Sequence, residues 1–172
     1  MKWVLTFALL FPVFWKFTIA ENTLSENKFT FKVEAPVQYQ VIQRSDQNYG
    51  WVDVQVSVTV PPSSNIQLEY RLVINGKIGT WGEANGEWKN RKFIYRIRMP
   101  SGGWHTLEVR DSRTPDHRSQ VVQFGVGEVF VVAGQSNSGN YGEVKQSTQT
   151  GLVSAFNFEN KKWQLAVDPQ PG

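Results

Sequence analysis

Along residues 52–60 every even position is Val and every odd one is polar: Val52-Asp53-Val54-Gln55-Val56-Ser57-Val58-Thr59-Val60. Period two with β-branched residues predicts a strand with one dry and one wet face. Pro61-Pro62 should end it, because proline cannot donate to a sheet ladder. Ile66, Leu68, Tyr70, Leu72 and Ile74 repeat the alternation. Asn75-Gly76 follows, a tight-turn dipeptide in which both residues tolerate positive φ. Phe93, Tyr95, Ile97 and Met99 predict another strand, broken by Pro100-Ser101-Gly102-Gly103. His105, Leu107 and Val109 share a phase on the next, and Val122, Phe124 and Val126 on one more. Residues 29–33 and 37–42 add earlier strands. Strands without intervening helical periodicity predict a mostly β fold, with an antiparallel, immunoglobulin-like β-sandwich over residues 21–126.

At residue 127 the pattern changes. Val129-Phe130-Val131-Val132-Ala133 is a continuous apolar run, as expected of a strand covered on both faces in a parallel α/β sheet. It leads into Gly134-Gln135-Ser136-Asn137-Ser138-Gly139-Asn140-Tyr141-Gly142. A buried strand ending in a small-residue turn with a central Ser can present a nucleophile. The carboxyl edge of an α/β sheet is where ligand clefts form. Gly134 permits a sharp turn, and a Ser backbone N–H at a helix start can face a developing oxyanion. The spacing is not the Gly-x-Ser-x-Gly elbow, since Ser138 stands where the second Gly would be. Spacing alone leaves an ordinary Gly/Ser/Asn loop as open as a catalytic turn. Residues 152–158 and 161–167 predict a hairpin turning at Asn160-Lys161, with Leu152, Phe156 and Phe158 on one arm and Trp163 and Leu165 on the other.

The first twenty residues add a compartment. Met1-Lys2 is a basic start, residues 3–15 are apolar apart from Thr6, and Thr18-Ile19-Ala20 is a small-residue end. That order is expected of a secretory signal peptide cut after Ala20, which places the mature chain outside the cytoplasm with no membrane attachment. The 172 residues contain no Cys and two His, which excludes a disulfide framework, thiol catalysis and Cys-ligated zinc. The net charge of +3 falls to +1 without Lys2 and Lys16, too little to suggest a nucleic-acid partner. No dinucleotide fingerprint, phosphate-cradling loop or metal-ligand cluster is present in the sequence.

Residues 129–137, with Gly134-Gln135-Ser136-Asn137 after the apolar run, resemble the first block of SGNH/GDSL-type hydrolases. The form is that of sialate O-acetylesterases and related acetylxylan esterases. Trp163-Gln164-Leu165-Ala166-Val167-Asp168-Pro169 is similar to a segment of the same exported esterases. The resemblance covers 127–172 and implies the start of an SGNH-type esterase domain, cofactor-free and acting on acetylated carbohydrate. It implies that Ser136 is the nucleophile and its own N–H an oxyanion donor, with Gly134, Gln135 and Asn137 shaping the turn. The family's late Asp-x-x-His is missing: no His follows Ser136, and Asp168 precedes Pro169-Gln170-Pro171. We therefore expect residues 127–172 to be the incomplete beginning of that domain, and this stretch alone to be at best a feeble esterase. His105 and His117 are the only candidates to substitute as base.

Two further functions are compatible with the residues. One is a secreted carbohydrate-binding module without catalysis; the other is a non-catalytic structural or interaction domain. Trp51, Trp81, Trp88 and Trp104 lie among the predicted strands, where core packing and strand-edge cover are the common roles. Trp81, in the turn Gly79-Thr80-Trp81-Gly82, is the candidate sugar contact. Arg91, Lys92, Arg96, Arg98 and Arg110 fall mostly on the polar phase, as a solvated sheet face requires.

Overall fold

The computed structural model describes residues 31–58, 66–135 and 144–169. The expected signal peptide, Phe29 and the Pro61-Pro62 stop lie outside these ranges. The fold is mostly β, with several sheets and no helix among the described residues.

The alternating segments became strands in the predicted phase. β1 (Phe31–Ala35), β2 (Val41–Gln43), β3 (Tyr49–Val58), β4 (Leu68–Ile74), β5 (Lys77–Ile78) and β6 (Gly82–Glu83) come first. β7 (Gly86–Lys89), β8 (Lys92–Pro100), β9 (Trp104–Asp111), β10 (Val122–Gly127), β11 (Ser154–Asn157) and β12 (Lys162–Leu165) follow. One sheet has the order β1-β3-β8-β7. A second has the order β2-β10-β9-β4-β5, with β6 also pairing with β4. β2 and β10 run parallel; the other pairings are antiparallel.

The two sheets share one core. Val52, Val54 and Val56 of β3 and Phe93, Tyr95, Ile97 and Met99 of β8 are buried against Leu107 and Val109 of β9 and Val122, Phe124 and Val126 of β10. Each buried row is every second residue of its strand, because successive side chains leave a pleated strand on opposite faces. A one-residue slip would put the whole row into water, so the alternation also fixes the register. Phe124 is completely buried, and Phe124→Ala should cost about 3–5 kcal/mol of stability, measured by denaturant unfolding.

Two tight turns set the edges. Asn75 (φ 50°) and Gly76 (φ 76°) join β4 to β5, as the dipeptide predicted. Asn90 (φ 49°) and Arg91 (φ 64°) join β7 to β8 in the same left-handed region without a glycine, which is why no turn was legible there. The expected strand at 37–42 is shorter than read. Tyr39 has φ 63°, so extended structure begins at Val41.

The C-terminal hairpin forms where it was expected. Phe156 pairs with Trp163, their rings 5.5 Å apart, and Lys161 (φ 56°) lies in the turn. Leu152 and Phe158 stay exposed. The hairpin is held to the second sheet by a small set of contacts. Trp104 Nε1 donates to the Gly151 carbonyl at 2.9 Å, and Ser154 Oγ donates to the Tyr39 carbonyl at 2.7 Å. Tyr39 meets the Trp104 ring edge-on at 5.8 Å. Gly125 lies opposite Trp104 on β10, where a Cβ would stand 3.3 Å from the indole. Trp104→Phe keeps an aromatic ring, though a smaller one, and removes the donor. It should weaken docking of the hairpin by about 1 kcal/mol, seen as faster amide exchange around Gly151 with core protection unchanged.

Candidate functional site

The candidate turn is approached from the end of β10. There the chain leaves the sheet through a polar clamp. Arg44 N donates to the Gly127 carbonyl at 2.8 Å, and Val129 N donates to Gln43 Oε1 at 2.8 Å. The Glu128 carboxylate accepts from Gln43 Nε2 at 2.9 Å and from Arg44 Nε at 2.7 Å. These two donors hold the Glu128 pKa below its ordinary value.

Beyond the clamp the structure departs from the expected buried strand. Residues 128–134 form no strand. Phe130 is 80% exposed, Val131 92% and Val132 76%. The physical reason lies in the neighbours. A strand of a parallel sheet needs partners on its edges and cover on both faces, and no described residue supplies either. Gly134 and Gln135 continue this exposed stretch. Ser136 and Asn137, the nucleophile and the last turn position of the predicted site, lie outside the described residues.

Neither histidine is brought forward as a base by its local structure. His105 is completely buried beside Phe124, with ring centroids 5.8 Å apart. Its Nε2 donates to the Pro100 carbonyl at 2.9 Å in the tautomer this contact favours. Burial pushes its pKa down, partly offset by that hydrogen bond. A side chain sealed in the core can stabilise the junction between β8 and β9, but it cannot meet a substrate. His117 is exposed in the loop after β9, which Asp111 organises by accepting from Arg113 N and Thr114 Oγ1, both at 3.1 Å. Gly127 leaves the sheet near the Trp104 end of β9, whereas His117 follows its Asp111 end. Eight residues of strand separate those ends by roughly 23 Å, at about 3.3 Å per residue.

Asp168 also has a local task. Its Oδ2 accepts from Gln146 N at 2.5 Å, next to a bridge between Ser147 and Val167. It thereby ties the segment before the hairpin to the segment after it.

Trp81 is half-buried on the outer side of the second sheet. The guanidinium of Arg71 sits 4.6 Å from its ring centroid and that of Arg110 sits 4.1 Å away. Arg71 pairs with Glu108, and Arg110 with Glu69. The indole thus packs with a charge ladder across β4 and β9, which competes with a ligand for its faces. An open depression of about 580 Å³ lies beside the same turn, lined by Tyr70, Leu72, Ile78, Thr80 and neighbouring residues. The sequence reading missed the Arg71 and Arg110 contacts, because cross-strand neighbours depend on a register that only the pairing of β4 with β9 defines. Among the described residues no group of His, Asp or Glu could hold a metal ion.

His105 makes stability depend on pH. The folded core disfavours its charged form, whereas the unfolded chain protonates it near pH 6.5. The unfolded state therefore binds more protons between the two values. Stability falls as pH drops through 6.5, by at most about 1.4 kcal/mol per pH unit from this group. Unfolding free energies between pH 7.5 and pH 5 should show that slope, and His105→Gln should flatten it.

No protein-family model, no curated protein and no solved structure matches this chain.

Proposed function

We propose that the chain is part of an exported carbohydrate O-acyl esterase, with acetyl as the acyl group and Ser136 as the nucleophile. The observation that carries the reading is the block 129–137, in which an apolar run delivers Gly134-Gln135-Ser136-Asn137. That block resembles the sialate O-acetylesterase-like branch of SGNH/GDSL-type hydrolases. The exposed apolar run supports it: Phe130, Val131 and Val132 have the composition of an inner strand and lack the cover of one. In this reading residues 127–172 are the start of an SGNH-type esterase domain. Residues 21–126 are an immunoglobulin-like accessory sandwich, and residues 1–20 are the export signal.

The chemistry is acyl transfer. Ser136 Oγ attacks the ester carbonyl carbon as a base takes its proton. The carbonyl oxygen becomes an oxyanion facing the Ser136 backbone N–H. Collapse expels the sugar hydroxyl, which regains the proton and leaves an acyl-enzyme. Water then attacks that ester and releases acetate. The resemblance implies a late Asp-x-x-His as the base, which residues 1–172 do not contain. Residues 1–172 without that base should be nearly inactive, since loss of one triad member costs several orders of magnitude. No cofactor enters the mechanism.

The measurement is acetate release from an acetylated oligosaccharide by the full-length protein and its Ser136→Ala variant. The expected loss in kcat is about a thousandfold or more. Equal rates would remove Ser136 as nucleophile.

The second reading is a secreted carbohydrate-binding domain without catalysis. The exposed indole of Trp51 on the first sheet favours it, being 46% accessible near one end of the β3–β8 ladder. Its signature is sugar binding that survives Ser136→Ala.

A further inference from the structure

The outer face of the first sheet carries a cluster that the core does not require. Trp51 lies directly opposite Arg98 in the β3–β8 register. Tyr49, two residues before Trp51 on the same face, meets its ring edge-on at 6.2 Å. The Arg98 guanidinium stacks over the Tyr49 ring at 3.8 Å from the centroid. Trp51 and Arg98 are both exposed.

The cation of this cluster is held by stacking on a ring and not by an ion pair. Arg44, Arg71, Arg96, Arg110 and Arg118 each have a carboxylate partner. Arg98 has none among the described residues, although it sits in a strand next to the Asp53–Arg96 pair. Arg96 holds Asp53 through two contacts, at 2.5 and 3.0 Å. The nearby Asp46 accepts the backbone N–H groups of Asn48 and Tyr49 at 2.7 and 3.1 Å. Arg98 is therefore a cation on this face without a carboxylate partner among the described residues, held in place by a tyrosine ring.

Stacking uses the flat face of a guanidinium and leaves its N–H edge for an anion. That edge fits a carboxylate with two parallel hydrogen bonds. The adjacent indole offers an open apolar surface that suits the C–H face of a pyranose ring. We propose that Trp51, Tyr49 and Arg98 form a binding site for an acidic glycan, with the sugar ring stacked on Trp51 and its carboxylate held by Arg98. A single cation suits a single sugar acid. A nucleic acid would need a row of unpaired cations, and the next one, Arg96, is already neutralised. The proposal rests on the carbohydrate-binding reading and is independent of Ser136.

Calorimetric titration of the full chain tests it with three probes: trigalacturonate, a hyaluronan tetrasaccharide and fully methyl-esterified trigalacturonate. At least one acidic probe should bind, and the ester should bind about tenfold or more weakly, because esterification removes the charge that Arg98 recognises. Trp51→Ala and Arg98→Gln should each weaken the acidic probe by a similar factor, with unchanged melting temperature. Added salt should weaken binding of the acid. Equal affinity for acid and ester, or unchanged affinity in either variant, overturns the proposal. Loss of binding in Trp81→Ala but not in Trp51→Ala also overturns it, while leaving carbohydrate binding in place at another site. No binding of either acidic probe overturns this site, and binding of the neutral ester alone would leave the carbohydrate-binding reading in place.

Discussion

Everything else in this molecule hangs on the meeting of two inward rows. Val52, Val54 and Val56 on one sheet and Leu107, Val109 and Phe124 on the other belong to a single buried apolar cluster. Each row is apolar only because its strand alternates, and each alternation is useful only because the opposite sheet closes over it. No single strand pair is stable alone in water, so the sheets must form together. This is why the ladder between β3 and β8, nine registered residue pairs long, can carry charged residues on its outer side without losing its place. The apolar side fixes the register, and the polar side is left free for other work.

That freedom is used differently on the two faces. On the second sheet, Glu69, Glu108, Arg71 and Arg110 neutralise one another and pack with Trp81. On the first, Asp53 neutralises Arg96 while Arg98 is stacked rather than paired. The same residue types in the same strand phase thus yield a closed ladder on one face and an open cation beside an indole on the other. Exposed ion pairs of this kind contribute little to stability, so the difference is one of surface chemistry and not of folding.

Much of the strand pattern was legible because period two is a local signal. The valines of 52–58, the aromatics of 93–95 and the pair Asn75-Gly76 each carry their structural instruction within a few residues. Three features were not local. Asn90 and Arg91 turn the chain without glycine, which the flanking strands impose. Trp81 looked open because its turn is rich in glycine, and its arginine neighbours come from strands ten and twenty-nine residues away in sequence. The short extent of β2 follows from the left-handed Tyr39, whose backbone N–H is taken by the Gln123 carbonyl at 2.7 Å. Of the candidate site, Gly134 and Gln135 are placed and exposed, while Ser136 and Asn137 rest on the motif alone. His105 was read as in phase with Leu107 and Val109, and that phase is what buries it.

The run 129–133 shows why hydrophobicity by itself does not make a strand. Its residues match those of the core in kind, and Phe130 and Val131 would each gain about 1.5–3 kcal/mol from full burial. They remain in water because burial of a strand requires hydrogen-bond partners for its backbone as well as cover for its side chains. The clamp of Gln43, Arg44 and Glu128 satisfies the backbone as far as Val129 and then stops. Residues 130–134 form no strand, whereas β3 pairs with both β1 and β8. Burying this run as a strand would therefore require backbone partners as well as an apolar surface.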